Sequence, residues 1–252
     1  MDIVKKPLTN GQYLTTVYEK KSMFLHHTVS TNAMSAWRWW NSTPERVGTP
    51  YIIDRDGTIF ECFDPKVWAF HLGIVGDDNW HEKHSINIEI VSAGPIREVD
   101  GDFRFYPLWP NKTRWTSIPA DEVHIFSKPW KGHKHWHLYS EDQLESLKWL
   151  IGRLALDFPS LEIDNNMDEI FDYDGSVVDG HTPGIWTHNT VKKPKSDPFP
   201  YPPLIKALKS VQSELTNIGK TAKIPEVTVT AKKTVKKPKS TKPKSSSKKS
   251  KP

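Results

Sequence analysis

The chain has 252 residues, 36% of them hydrophobic and 26% charged, which is enough for one large domain with a buried core and excludes a wholly disordered protein. Its single cysteine, Cys62, excludes an intramolecular disulfide and a cysteine-rich zinc module, so any metal must be bound by histidine and carboxylate groups. Because no apolar run approaches the length of a membrane span and the first residues lack the apolar stretch of a secretory signal peptide, we expect a chain made in the cytoplasm.

The net charge of +5 is an average over two unlike segments. Residues 219–252 contain twelve lysines and one acidic residue, for a net charge of +11. Residues 1–218 contain 23 basic and 29 acidic side chains, for a net charge of −6. The basic segment is mostly Lys, Ser, Pro and Thr and has too few apolar residues to build a core. We therefore predict a disordered basic tail at 219–252 after a folded domain at 8–218.

The first predicted elements are a strand and a short helix. Residues 22–28, SMFLHHT, form a strand that leads into two adjacent histidines. Residues 31–40 have the Ala, Met and Trp spacing of an amphipathic helix, with Thr31 or Asn32 as its N-cap. The strand therefore ends at a candidate polar site.

A hairpin and a further strand follow. Residues 50–54 and 58–62 are two β-rich runs joined by an Asp-Gly pair, which favours a tight turn. Residues 85–92 alternate, so that three isoleucines point to one face and Glu89 to the other. We therefore expect Glu89 to face away from the main hydrophobic core.

The strongest predicted helix covers residues 141–157. Ser140 and Gln143 have the spacing of a capping box, and apolar side chains recur at helical intervals after them. Residues 96–139, which precede the helix, are rich in Trp, Pro and His without sustained periodicity, and this indicates an insertion over one face of the domain. Together these elements predict an α/β fold class: a single mixed domain with a central β-sheet flanked by helices.

Candidate metal ligands occur in three places, which are the His26-His27 pair, His181 and Asp197. A catalytic zinc ion needs three nitrogen or oxygen ligands from the protein and an open position for water, and two histidines with one aspartate would supply them. A lone histidine is more often an ordinary polar residue. Only the combination of the three places points to a metal.

Short stretches around these residues resemble a known family, the zinc-dependent N-acetylmuramoyl-L-alanine amidases of the type 2 amidase and peptidoglycan recognition protein superfamily, which includes phage endolysins. The stretches occur in the family's order and together span most of residues 22–200. They are FLHHT (24–28), IIDRDGTIFE (52–61), WAFHLG (68–73), SINIEI (85–90), the helix start YSEDQLESLKWLI (139–151), GH (180–181) and KSDP (195–198).

The resemblance implies a Zn²⁺ centre with His26, His181 and Asp197 as its ligands. His27 is then expected to face the other side of the strand, because successive side chains of a strand alternate. Lys195 matches a family lysine near the scissile carbonyl, where a cation can stabilise a developing oxyanion. The expected catalytic residues are therefore Lys195 and, for proton transfer, one further residue.

Glu89 matches the glutamate that acts as the general base in part of the family. The family's other common base is a tyrosine before the hairpin strand, and its place falls here on Thr49, with Tyr51 two positions further on. Glu89 is therefore the preferred residue for proton transfer, and Tyr51 is the reserve. His71 matches a histidine that lines the substrate groove, so the expected substrate-binding residues are His71, Tyr51 and Thr49.

The chain departs from the family pattern in two ways. Sixteen residues separate His181 from Asp197, where relatives usually have fewer, and Phe199 follows Pro198 where glycine is common. The long spacing leaves His188 open as an alternative to Asp197 for the third ligand.

The resemblance implies hydrolysis of the amide bond between N-acetylmuramic acid and L-alanine in peptidoglycan. The expected context is a phage-type lysin, a monomer made in the host cytoplasm that acts on the cell wall after release. The alternatives are a non-catalytic peptidoglycan-binding module and, because of the lysine-rich tail, a nucleic-acid-binding protein. The acidic domain and the absence of arginine from the tail argue against nucleic acid as a partner. Anionic wall polymers or membrane surfaces remain candidate partners of the tail.

Overall fold

The computed structural model describes residues 1–9, 11–107 and 114–218, so the predicted tail lies outside the described residues. The expectation of a mixed α/β domain with a central sheet and flanking helices is confirmed. The helices of the described part are α1 (Ala33–Trp40), α2 (Trp80–His84), α3 (Glu141–Asp157), α4 (Gly175–Asp179), α5 (His188–Val191) and α6 (Pro202–Ile218). Among the residues described, no helix has the length and apolar character needed to cross a membrane.

Two sheets account for the strands. The strands are β1 (Ile3–Lys5), β2 (Ser22–His27), β3 (Tyr51–Ile53), β4 (Ile59–Glu61), β5 (Ser85–Ile90), β6 (Pro95–Val99), β7 (Asp102–Phe105), β8 (Thr116–Ile118), β9 (Val123–Trp130), β10 (His133–His137) and β11 (Ile185–Thr187). The strand predicted at 22–28, the hairpin and the strand predicted at 85–92 are confirmed as β2, the β3–β4 pair and β5.

The central sheet has the strand order β1-β4-β3-β5-β2-β11. Strand β2 is parallel to β5 on one side and to β11 on the other, and all of its side chains are buried. The carboxyl ends of parallel strands meet at one edge of a sheet. Residues at the ends of β2, β5 and β11 are therefore brought close together.

Helix α3 supplies much of the scaffold for this sheet. The predicted capping box is present, because Ser140 Oγ accepts from the Gln143 amide at 3.2 Å and Gln143 Oε1 accepts from the Ser140 amide at 2.9 Å. Leu147, Leu150 and Ile151 of this helix are fully buried in the main core, together with the isoleucines of β5. The hydrophobic face of α3 thus stabilises the sheet on the side away from the polar residue of β5, Glu89.

The insertion folds into a second, antiparallel sheet with the strand order β8-β7-β6-β10-β9. The sequence has no sustained periodicity there, because the strands of this sheet pair over long distances along the chain. Ile96 of β6 pairs with His135 of β10, far along the chain, and local periodicity does not report such a pair.

Two features attach the second sheet to the rest of the domain. Trp136 of β10 is fully buried and its ring lies 5.0 Å from the ring of Phe199. The turn between β9 and β10 is Lys131-Gly132, and both residues have positive φ angles, of 44° and 81°, as tight hairpin turns require. The turn brings Lys131 against the chain segment that follows α5.

Candidate metal centre

Three buried side chains converge where the parallel strands end. His26 Nδ1 lies 3.2 Å from His188 Nδ1 and 3.3 Å from Asp197 Oδ2, and His188 Nδ1 lies 3.0 Å from Asp197 Oδ2. The three side chains are 2%, 4% and 13% exposed, respectively, for His26, His188 and Asp197. These three form the group of possible metal ligands in the described part of the chain.

The local backbone explains this convergence. His26 is near the end of β2, and His188 directly follows β11, which pairs with β2 in parallel. Helix α5 begins at His188, and its N-cap Thr187 forms a capping box with Thr190. Asn189 Nδ2 donates to the carbonyl of Pro198 at 2.7 Å and so fixes the segment that carries Asp197.

The strand alternation turns the second histidine of the pair away from this cluster. His27 Nδ1 lies 3.2 Å from the Tyr139 hydroxyl, and its ring contacts Trp136. Gly94 approaches the ring so closely that a Cβ at that position would lie 2.6 Å from His27 Nε2. His27 is therefore part of the packing between the two sheets.

The structure does not bring His181 to the cluster, which corrects the ligand set implied by the resemblance. His181 is exposed after α4, and its ring stacks on Trp80 at 4.5 Å. His188 lies where the second histidine ligand was expected, nine residues before Asp197. The long spacing between His181 and Asp197 is the sequence signal for this difference, and it concerns His181 rather than Asp197.

The distances within the cluster fit a metal site. In a tetrahedral zinc site with bonds of about 2.0–2.1 Å, neighbouring ligand atoms lie about 3.3 Å apart. The three measured separations, 3.0, 3.2 and 3.3 Å, are close to this value. Two imidazole nitrogens and one carboxylate oxygen are also a donor set that zinc accepts in catalytic sites.

The charge states fit as well. Burial lowers the pKa of His26 to about 4, so the ring is neutral and has a free lone pair at neutral pH. Burial alone would raise the pKa of Asp197, but His188 and His26 outweigh it and hold this pKa well below its usual range. The cluster thus contains an ionised carboxylate and a neutral imidazole, the forms that bind a metal.

Glu89 lies beside this cluster. It stands opposite His26 in the parallel pairing of β5 and β2, and its Oε2 atom is buried without a hydrogen-bond partner among the described residues. Burial and, secondly, the charge of Asp197 raise the pKa of Glu89 well above its usual value, while Lys195 opposes them. A carboxyl group of this kind can take up and hold a proton.

Lys195 is held near the same groups by its backbone. Its amide donates to the carbonyl of Lys192 at 3.0 Å, and its carbonyl accepts from Lys131 Nζ. Lys131 Nζ also donates to Asn189 Oδ1 at 2.8 Å. The positive charge of Lys195 lowers the pKa values of Glu89 and His26, so the ammonium group lies near the cluster.

The side chains of the three expected substrate-binding residues are all buried. The side chain of His71 is 3% exposed and its Nδ1 lies 3.3 Å from His26 Nε2. Tyr51 is 4% exposed and packs in the main core, where burial raises its pKa. Thr49 is fully buried and its hydroxyl donates to the Tyr51 carbonyl at 2.8 Å. A match of residue positions to a family pattern does not report burial.

The chain is similar to known proteins over most of its length. The family model for N-acetylmuramoyl-L-alanine amidase matches residues 18–200. A comparison with curated proteins returned no match.

Several solved structures are similar to this chain. The Staphylococcus aureus hydrolase AmiA in complex with its ligand is 15% identical, with a TM-score of 0.50 over 88% of this chain and 87% of that one. The PlyG catalytic domain is 12% identical, with a TM-score of 0.48 over 84% and 96% of the two chains. The N-acetylmuramoyl-L-alanine amidase LysC from Clostridium intestinale URNW is 14% identical, with a TM-score of 0.43 over 86% and 98%. At 15% identity the likeness to AmiA concerns the fold alone.

Proposed function

The chain belongs to the N-acetylmuramoyl-L-alanine amidase family, and from this membership we propose that it is a zinc-dependent hydrolase of peptidoglycan. The bond cleaved is the amide between the lactyl group of N-acetylmuramic acid and L-alanine. The observation that carries the proposal is the convergence of His26, His188 and Asp197, with donor atoms 3.0–3.3 Å apart.

Zinc bound by these three residues would supply Lewis acidity and lower the pKa of a water molecule to about 7. The protein groups supply the ligand field and the charges around it. His26, His188 and Asp197 would hold the ion, and Asp197 would contribute the negative charge. Their burial excludes bulk water from the side of the cluster that faces the core.

Glu89 and Lys195 carry the remaining steps. Glu89 takes the proton of the attacking water and delivers a proton to the leaving amine, a role that suits a carboxyl group with a raised pKa. Lys195 stabilises the negative charge that develops on the scissile carbonyl oxygen. Glu89 lies opposite His26 in the pairing of β5 and β2, and the charge of Lys195 lowers the pKa values of both Glu89 and His26.

We further propose a phage-type lysin whose basic tail, with a net charge of +11, is drawn to anionic wall polymers or membrane surfaces. The folded part carries a net charge of −6, which does not favour nucleic acid as a partner.

The experiment is digestion of purified cell walls, scored for new N-terminal alanine, before and after removal of metal with a chelator. We expect alanine N-termini to appear with the zinc-loaded protein and to stop appearing after chelation, with recovery on addition of zinc. Wall binding without any release of alanine N-termini would indicate a binding module and contradict the proposal.

A further inference from the structure

The backbone of residues 71–73 connects two helices at the metal centre. The carboxylate of Glu82, on α2, accepts hydrogen bonds from three consecutive amides of this segment. The amide of His71 donates to Oε2 at 3.0 Å, and those of Leu72 and Gly73 donate to Oε1 at 3.0 and 2.9 Å. Glu82 is 1% exposed, so these bonds replace the water that a buried carboxylate has lost.

The same carboxylate reaches one metal ligand through a second histidine. His71 Nε2 lies 2.9 Å from Glu82 Oε2 and therefore carries its proton there. His71 Nδ1 is then an acceptor, and it lies 3.3 Å from His26 Nε2. His26 donates from Nε2, and its lone pair is thus on Nδ1, the atom that faces Asp197.

The other histidine ligand is fixed by the carbonyl side of the same segment. His188 Nε2 donates to the carbonyl of Leu72 at 3.0 Å, which leaves the lone pair of His188 on Nδ1. Lys192 Nζ donates to the carbonyl of Gly73 at 2.8 Å and holds the segment against α5. Both imidazoles of the cluster therefore take their orientation from residues 71–73.

Glu82 is the group on which this arrangement depends. Burial alone would raise its pKa, but His71 and the backbone amides outweigh burial and hold the pKa at about 2. The carboxylate is therefore ionised and can accept from all four donors. An uncharged amide in its place has one oxygen acceptor and would set its NH2 group against two of these four donors.

We propose that Glu82 is a positioning residue of the metal centre, which acts through His71 and Leu72 to fix the tautomer and direction of both histidine ligands. This inference rests on the proposed zinc site. Partners behind metal ligands of this kind typically change metal affinity by about 10-fold to 100-fold when they are removed.

The test compares Glu82→Gln with a matched control, Asp77→Asn. Asp77 Oδ2 lies 3.0 Å from His81 Nδ1, so it also forms a buried carboxylate–histidine pair at α2. His81 Nε2, however, lies 3.2 Å from the carbonyl of Val177 and so does not lead to a ligand. The readouts are the zinc dissociation constant, from competition with a chelator, and the visible absorption bands of the cobalt-substituted protein.

We expect Glu82→Gln to weaken zinc binding by about 10-fold to 100-fold and to shift the cobalt bands. Asp77→Asn should lower thermal stability but keep the affinity and the bands of the wild type. Wild-type affinity and bands in Glu82→Gln would overturn the inference while leaving the proposed function intact. A wild-type protein that binds no zinc would overturn both.

A second pair of variants decides the question if Glu82→Gln does not fold. His71→Gln keeps an acceptor for His26 and a donor for Glu82, whereas His71→Leu keeps neither. We expect zinc affinity near that of the wild type in His71→Gln and a loss of about 10-fold or more in His71→Leu. Equal affinities in the two variants would overturn the inference.

Discussion

Glu89 stands directly opposite His26 in the parallel pairing of β5 and β2. The sheet therefore sets the separation between the proposed proton carrier and a proposed zinc ligand, and no loop takes part. Rigid strands hold such groups more accurately than loops do. The role of Glu89 can therefore be tested by a single substitution.

Glu89→Gln should keep the fold and the zinc but lose on the order of 10²-fold to 10⁴-fold in turnover, because an amide cannot accept the proton of water. The measurement is the rate of hydrolysis of a soluble muramyl peptide together with zinc content. Tyr51→Phe is the matched control, since the Tyr51 side chain is buried in the main core, and it should retain the wild-type rate. Near wild-type turnover in Glu89→Gln would remove Glu89 from the mechanism.

Lys131, in the turn of the second sheet, donates hydrogen bonds to α5 and to the segment that carries Lys195. Lys131→Met removes the bonds to Asn189 Oδ1 and to the Lys195 carbonyl, so Lys195 is held less accurately. We expect turnover to fall by about 10-fold to 100-fold, the scale of a displaced catalytic group. The control is Lys134→Met, at an exposed lysine of β10. Equal rates in the two variants would show that the hydrogen bonds of Lys131 do not contribute to catalysis.

Lys20 makes stability depend on pH. Its ammonium is buried and donates to the carbonyls of Val67 and Lys83 at 3.0 and 2.7 Å. Burial lowers the pKa of Lys20 from 10.5 to about 7, opposed by Asp64. The unfolded chain therefore binds this proton more tightly than the folded one, and the free energy of unfolding decreases as the pH falls from about 10 towards 7.

The measurement is denaturant unfolding at pH 7.0 to 9.5 of the wild type and Lys20→Met. The wild type should lose stability relative to Lys20→Met as the pH falls, by at most about 1.4 kcal/mol per pH unit for one proton. Lys21→Met, at an exposed neighbour, controls for the loss of a positive charge. Parallel curves for the wild type and Lys20→Met would contradict the prediction.

The tail should contribute wall affinity and not catalysis. A protein that ends at Ile218 lacks twelve lysines, and the attraction between charges in water is screened over about 8 Å at physiological salt. We expect the full chain to sediment with cell walls at low salt and much less at high salt, and the shortened protein to bind weakly throughout. Hydrolysis of a small soluble substrate should be equal for both. Equal wall binding at low salt would show that the tail is not the anchor.

The sequence predicts the elements whose signals are local. The capping box at Ser140, the alternation around Glu89 and the turn at Gly57 each lie within a few residues, and β5, α3 and the β3–β4 hairpin are found where they were expected. The second sheet has no sustained local signal, because β6 pairs with β10 across the intervening strands β7, β8 and β9.

The site is only partly predictable for the same reason. Which histidine faces His26 depends on β11, a strand of three residues that is too short for periodicity to reveal. Once β11 is paired with β2, the residue that follows it, His188, lies beside His26, and His181 does not. The role of Glu82 depends on hydrogen bonds to residues 71–73, which no spacing in the sequence reports.

The most direct test of the account is the zinc content of His188→Ala and His181→Ala, measured side by side in purified protein. We expect His188→Ala to lose its zinc, because the ion needs all three ligands, and His181→Ala to keep one zinc per chain. His181 stacks on Trp80 and lies outside the cluster. Full retention of zinc by His188→Ala, or its loss from a folded His181→Ala, would contradict the assignment of His26, His188 and Asp197 as the metal centre.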